Sequence, residues 1–264
     1  MANMIRILFD VDTRMRIILA PNNVKNGDKI VVKMPNGNDI ATVVGFCVDL
    51  KKQQPETEYE FMRVATTQDL ALRQQKIDNN TNTKQKVQNI ITKYDIQLKL
   101  IKVHESFDNS KMLIVYTAPA RIDFRQLVKE LAGVFKTHIE MRQITDRESA
   151  SMLGNIAECG QELCCRKFLY DPQVVTIKMA KTQDMALNPT KINGVCGKLR
   201  CCLAFENDQY KQVLERMPEM GAKINTPNGQ GEVVYRDLLR EVVQVKFAED
   251  DIQSFELDKI TNSA

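Results

Sequence analysis

The chain has 264 residues, 43% hydrophobic and 27% charged, with 37 Lys plus Arg against 34 Asp plus Glu. That composition excludes a disordered chain and supplies enough apolar surface for about two domains. A formal net charge of +3 is too small to imply a nucleic-acid partner through bulk electrostatics.

The opening, MANMIRILFDVDTRMRII, scatters charges among its apolar residues and lacks the apolar h-region of a signal peptide. No apolar run approaches the roughly 20 residues needed to cross a bilayer. The expectation is a cytoplasmic protein without membrane insertion, in a compartment that keeps thiols reduced.

Residues 1–60 read as a small β module. Gly27, Lys29 and Ile30 lead to Pro35-Asn36-Gly37 and then to Val43-Val44. The same order returns as Gly221, Lys223, Ile224, Pro227-Asn228-Gly229 and Val233-Val234 in a second module, residues 221–264. Asn-Gly between β-branched residues signals a hairpin, because a type I′ turn needs positive φ at both central positions. Val242, Val243, Val245 and Phe247 add a further strand to the second copy. Both modules are expected to be barrel-like. Cys47, among Val43, Val44, Phe46 and Val48, reads as a small buried hydrophobe.

Residues 61–150 have the pattern of an α+β domain. A helix starts at Thr66 or Thr67 with Asp69, should be interrupted by the Asn-rich patch 78–82, and resumes on Val87, Ile90, Ile91 and Tyr94. Segments 97–104 and 111–117 form an antiparallel hairpin. Asp123 with Gln126 resembles a capping box, and Phe124, Leu127, Val128, Leu131 and Phe135 make one face of the next helix. Ile139, Met141 and Ile144 nearly alternate, as in a strand. The order predicts a central antiparallel sheet covered by helices, an α+β fold with a cysteine-rich helical segment and small β modules near both termini.

That cysteine segment, residues 151–220, is expected to pack on the α+β domain. It holds six of the seven cysteines as two copies of one pattern: Cys159, Gly160, Cys164, Cys165, Phe168 and Cys196, Gly197, Cys201, Cys202, Phe205. All positions repeat at an offset of 37 residues. Leu199, Leu203, Tyr210, Val213, Leu214 and Met217 mark a long amphipathic helix ending at Pro218, with Cys201 and Cys202 at its start. By repeat, Cys159 and Gly160 lead into a shorter helix ended by Asp171-Pro172. The helix dipole, with Lys198 and Arg200 nearby, favours thiolate there.

Adjacent helical residues point about 100° apart, so one member of each vicinal pair should turn inward. Cys202, sharing a stripe with Leu199 and Leu203, is the core-facing candidate, and Cys201 points towards the loop of Cys196. Metal or cluster ligation is the favoured chemistry; structural thiols and redox or disulfide chemistry are the alternatives. Zinc remains a possible metal, although the paired Cys-x2-Cys hooks it usually uses are absent.

From about Arg121 to Met220 the chain closely resembles the RicT/YaaT family of bacterial regulators. The resemblance rests on Asp123-Phe124-Arg125-Gln126-Leu127-Val128-Lys129-Glu130-Leu131, Ile139-Glu140-Met141-Arg142-Gln143-Ile144, the two cysteine motifs, Ile177-Lys178-Met179-Ala180-Lys181 and Leu187-Asn188-Pro189-Thr190-Lys191-Ile192. Glu158 stands where that family usually has Pro, and residues before 60 have drifted. The resemblance implies a non-catalytic subunit assembled with small helical RicA-like and RicF-like partners. It implies 4Fe-4S clusters held by cysteines of these motifs and of the partners, and modulation of the endoribonuclease RNase Y in mRNA processing. The candidate ligands it implies are Cys159, Cys164, Cys165, Cys196 and Cys201, with Cys202 a further metal-ligand candidate.

Phosphate-loop, His-Glu-x2-His and Gly-x-Ser-x-Gly motifs are missing, which argues against an enzyme. His104 and His138 read as structural or surface residues, and Asp171 and Asp184 as solvated loop carboxylates. Direct RNA or DNA binding is the competing reading, resting on Arg166, Lys167, Lys178, Lys181, Lys191, Lys198 and Arg200 around the cysteines. Stacking aromatics are scarce there.

Overall fold

The structure, a computed structural model, describes all residues except 1, 36, 48–53, 95, 121, 171, 172, 248–250, 263 and 264. Its contacts divide the chain into two units, residues 1–172 with 195–197, and residues 173–194 with 198–264.

The first unit begins with five strands, β1 (Ala2–Phe9), β2 (Arg16–Pro21), β3 (Lys29–Met34), β4 (Gly37–Phe46) and β5 (Glu60–Val64), paired in the order β2-β1-β4-β3-β5. Alternate residues, Ile5, Ile7, Ile18, Ala20, Ile30, Val32, Ala41 and Val43, turn to one side and are buried, as the two-residue period of a strand requires. The sheet curls until its edges meet: the Glu56 N–H donates to the Ile17 carbonyl at 2.8 Å, and the Arg16 guanidinium pairs with the Glu56 carboxylate at 3.1 Å. Asn36 of the expected turn lies outside the described residues. Cys47 is half-buried rather than buried. It follows the end of β4, where its N–H still reaches the Met4 carbonyl at 3.0 Å but the barrel interior has run out.

A second sheet consists of β6 (Lys99–Glu105), β7 (Lys111–Thr117) and β8 (His138–Gln143), in that order. The hairpin β6–β7 is antiparallel as expected, whereas β8 runs parallel to β7. The reason is α2 (Arg125–Phe135), which carries the chain back to the end where β7 began, as a parallel crossover must. Strand β7 is buried from Met112 to Tyr116. Leu113 and Val115 join the barrel core, while Met112 and Ile114 pack with Leu127 and Leu131 of α2.

Helix α1 (Thr67–Ile91) starts on a capping box formed by Thr66 and Asp69, and it runs unbroken through the Asn-rich patch. Asparagine lowers helix propensity by less than about 0.7 kcal/mol per residue, which tertiary contacts readily outweigh. Those contacts are polar: Lys76 donates to the carbonyls of Ser106 (2.6 Å) and Phe107 (2.8 Å) and to the Asn109 side chain (2.6 Å), and Lys84 donates to the Ile101 carbonyl (2.9 Å). Only the last turns, at Val87, Ile90 and Ile91, bury an apolar face. The capping box expected at Asp123 does not form. Phe124 is the N-cap, and the Asp123 carboxylate accepts the Arg125 N–H at 3.0 Å while pairing with its guanidinium.

In the second unit, β9 (Lys223–Thr226), β10 (Gly229–Asp237), β11 (Val242–Lys246), β12 (Ile252–Glu256) and β13 (Thr261–Asn262) pair in the order β12-β11-β10-β9-β13. The weak sequence repeat is a repeat of local structure. Gly27 and Gly221 donate to the Val43 and Val233 carbonyls at 2.9 and 2.8 Å, and Val43 and Val233 donate back to Asp28 and Ala222 at 2.9 and 3.0 Å. Each sheet places two hairpins side by side and closes with a lone edge strand. The hairpin carrying the repeat comes second in the first sheet and first in the second, so the two modules share one pairing order with their two hairpins exchanged along the chain.

A Cβ at Gly231 would stand 2.4 Å from Val245 Cγ1 and 2.8 Å from the Lys246 carbonyl oxygen, and that backbone cannot retreat. Gly231→Ala should therefore cost about 1–3 kcal/mol in urea unfolding. Gly133, in the exposed interior of α2 with open space around it, should give a gain of about 0.5–1 kcal/mol on Gly133→Ala. Effects of the same sign would contradict the packing described.

Candidate functional site

The cysteine repeat folds as the same local structure twice. Helix α3 (Asp146–Leu153), capped by Thr145 and Glu148, is followed by an antiparallel bridge between Ile156 and Glu162. The turn between them holds Cys159 and Gly160, and the chain then enters α4 (Cys164–Lys167). Further on come α5 (Ile177–Thr182) and α6 (Pro189–Ile192), a bridge between Asn193 and Leu199, a turn with Cys196 and Gly197, and α7 (Cys201–Leu214).

The hydrogen bonds repeat with the sequence. Leu163 donates to the Asn155 carbonyl at 3.2 Å and Arg200 to that of Ile192 at 2.9 Å. Ala157 donates to Gln161 and Gly194 to Lys198, both at 2.8 Å. Gly160 and Gly197 have φ of 78° and 73°, a left-handed conformation that other residues reach only with strain. Cysteine followed by glycine thus sets a thiol beside the one residue able to close the turn. In both copies the vicinal pair forms the first two residues of the following helix.

Cys159 is exposed, Cys164 half-buried and Cys165 buried, so the expected divergence of a vicinal pair holds in the first copy. In the second copy both Cys201 and Cys202 are half-buried. The stripe assigned to Cys202 is shorter than expected, because Leu199 belongs to the bridge before α7 and only Leu203 lies in the helix. Burial pushes the Cys165 thiol up, Cys196 adds to the rise, and Ser151 and the positive charge of Arg147 act against it. Cys165 and Cys196 come one from each motif and both lie in the first unit. The Ser151 hydroxyl also donates to the Cys165 carbonyl at 2.7 Å, fixing α4 against α3. Neither Arg147 nor Ser151 stands out in the sequence, since both reach the site through the fold.

The basic residues divide into two kinds. The Arg166 guanidinium binds the Met152 carbonyl at 3.0 Å and Glu162 at 2.9 Å, and that of Arg200 binds the carbonyls of Asn193 at 3.1 Å and Thr190 at 3.3 Å. Both tie their turns to the end of the preceding helix. Lys178, Lys181 and Lys191 are exposed. Asp184 is not simply solvated, because it pairs with Arg236 at 2.7 Å; Asp171 lies outside the described residues. His138 is exposed, and His104 stands 2.5 Å from the Asp39 carboxylate.

Thiols at helix starts suit soft metals and iron–sulfur centres. Among the described residues, however, no group of three or more His, Cys, Asp or Glu side chains is placed to hold a metal ion. The donor chemistry fits a cluster, while the described residues of one chain do not assemble a full ligand set. Among them, too, no helix is long and apolar enough to cross a membrane.

Residues 59–144 match the PSP1 C-terminal conserved region, and residues 174–217 the third domain of PSP1-like proteins. The chain is 44% identical over 185 residues to the stage 0 sporulation protein YaaT of Bacillus subtilis, a match spanning 70% of this chain and 67% of that protein. No solved structure matches.

Time-resolved alkylation of the metal-free chain, read by mass spectrometry, should label exposed Cys159 first and Cys165 last. Because the Cys165 thiol is raised, its labelling rate should keep climbing at alkaline pH where an ordinary thiol has levelled off. Early labelling of Cys165 would contradict its burial against α3.

Proposed function

The chain belongs to the YaaT family of PSP1-type proteins, and on that premise we propose that it is a non-catalytic regulatory subunit whose duplicated turn-and-helix motif lends thiolates to 4Fe-4S clusters completed by partner chains. The observation that carries this reading is the repeated geometry: twice, a turn closed by glycine and a helix start present cysteines from the same local fold. Cys159, Cys164, Cys165, Cys196 and Cys201 are the residues that would hold the group, with Cys202 as a further donor. A bound cluster would supply a covalent cross-link between subunits and a redox-sensitive one.

The partner requirement follows from counting. Two four-iron clusters would take about eight thiolates, more than the six that the two motifs offer, and the described residues bring no three metal-binding side chains together. Small helical proteins of the RicA and RicF kind are the proposed partners, and RNase Y-dependent mRNA processing is the proposed target of the assembly. The buried thiol of Cys165 would become a ligand by releasing its proton to solvent as the metal binds, since coordination favours the thiolate.

Anaerobic co-expression with both partners, followed by iron and sulfide analysis and a visible spectrum, tests the reading. A brown complex with comparable iron and sulfide is expected. A colourless complex with stoichiometric zinc and no sulfide would replace the cluster with zinc, and salt-sensitive retention of RNA by the isolated chain would favour direct RNA contact. Cys201→Ser should lower iron content more than Cys202→Ser; equal losses would remove the distinction between the two.

A further inference from the structure

A cavity of about 170 Å³ lies in the first unit where the barrel, the edge strand β6 and the N-terminal half of α1 meet. Arg73, Lys76 and Asn80 line it from one face of α1, at the i, i+3, i+7 spacing that places residues on a common side. Lys102 and His104 line it from β6, two residues apart and so on the same side of the strand. The cysteine motifs contribute nothing to its walls.

The hydrogen bonds around this cavity leave cationic donors over. The Asp39 carboxylate accepts the Ile40 N–H at 2.8 Å and pairs with His104, and Glu105 accepts the Thr83 hydroxyl at 3.2 Å. Lys76 spends its three N–H groups on the Ser106 and Phe107 carbonyls and on Asn109. Among the described residues Lys102 makes one bond, to the Asp10 carbonyl at 2.6 Å, which leaves capacity for two more. Arg73 pairs with Asp10 through Nη2, while its Nη1 is buried with no hydrogen-bond partner among the described residues. An unmet buried guanidinium donor is costly. Burial lowers the Lys102 pKa, Asp10 opposes the fall, and Arg73 and Arg166 add to it.

We propose that this cavity binds a small oxyanion, a phosphate group, through Arg73 Nη1 and Lys102 Nζ, with the Asn80 amide beside them. A tetrahedral oxyanion offers acceptors in several directions at once, which suits one guanidinium arm and one ammonium arriving from different elements. Ile40, which is buried, with Ile77 and Phe107 supplies apolar wall beside these donors, where an ion pair is stronger than in open water.

Isothermal titration of the full chain at constant ionic strength, with inorganic phosphate in one series and AMP in another, tests the assignment. Saturable binding of either with a Kd of roughly 1 mM or below is expected, and the preferred one shows whether the free ion or a phosphomonoester is the ligand. Arg73→Lys keeps the charge opposite Asp10 but removes Nη1, and should weaken binding about tenfold; Lys102→Met should do the same without touching α1. Far-UV circular dichroism identifies any variant that has not folded. No saturable binding of either probe by the wild-type chain up to about 10 mM, or wild-type affinity in both folded variants, would overturn the proposal.

Discussion

Strand β7 has no face left for water. From Met112 to Tyr116 its side chains go alternately to the barrel and to the helices, so a shift of one residue would exchange the two cores and expose neither to solvent, only to the wrong partner. Leu113 and Val115 must meet Ile7 and Ile18 on one side, and Met112 and Ile114 must meet Val87 and Leu127 on the other. This double burial fixes the N-terminal barrel, the sheet and the helices as one folding unit. It also sets where β8 emerges, and hence where α3 begins and the first cysteine turn hangs.

The cysteine motifs are built by a different economy. They have little apolar core of their own; among the described residues the cluster around α5 and α7 buries Ala180, Ile192 and Leu203. Geometry is held instead by backbone bridges, by left-handed glycines, and by arginines that bind carbonyls at the ends of the preceding helices. Such a structure can present thiols without burying all of them. Cys159 is exposed while Cys165 is sealed against α3, so a single motif contains both an accessible and a protected thiol.

Helix α1 shows the same division within one element. Its last turns are held by apolar packing, and the turns before them by lysine and arginine side chains that reach carbonyls and a carboxylate. Polar anchoring of this kind leaves a gap where apolar side chains would have filled it, and the phosphate-sized cavity occupies that gap.

Much of this was legible in the residues. The β modules, the hairpin of β6 and β7, the start of α1 at Thr66, and the cysteines at a turn and a helix start all follow from local rules, because turns, caps and strand periods are fixed by a few neighbouring residues. What local rules missed was decided by distant contacts. The Asn-rich patch stays helical because Lys76 and Lys84 anchor it, Asp123 takes the N–H and guanidinium of Arg125 instead of forming a box with Gln126, and β8 turns parallel because α2 crosses the sheet. The sequence by itself determined that six cysteines form a duplicated motif. Only the tertiary structure decided that Cys165 is buried against α3, and that Arg73 and Lys102 converge on one cavity, because residues far apart in the chain share an environment only once the core has placed their elements side by side.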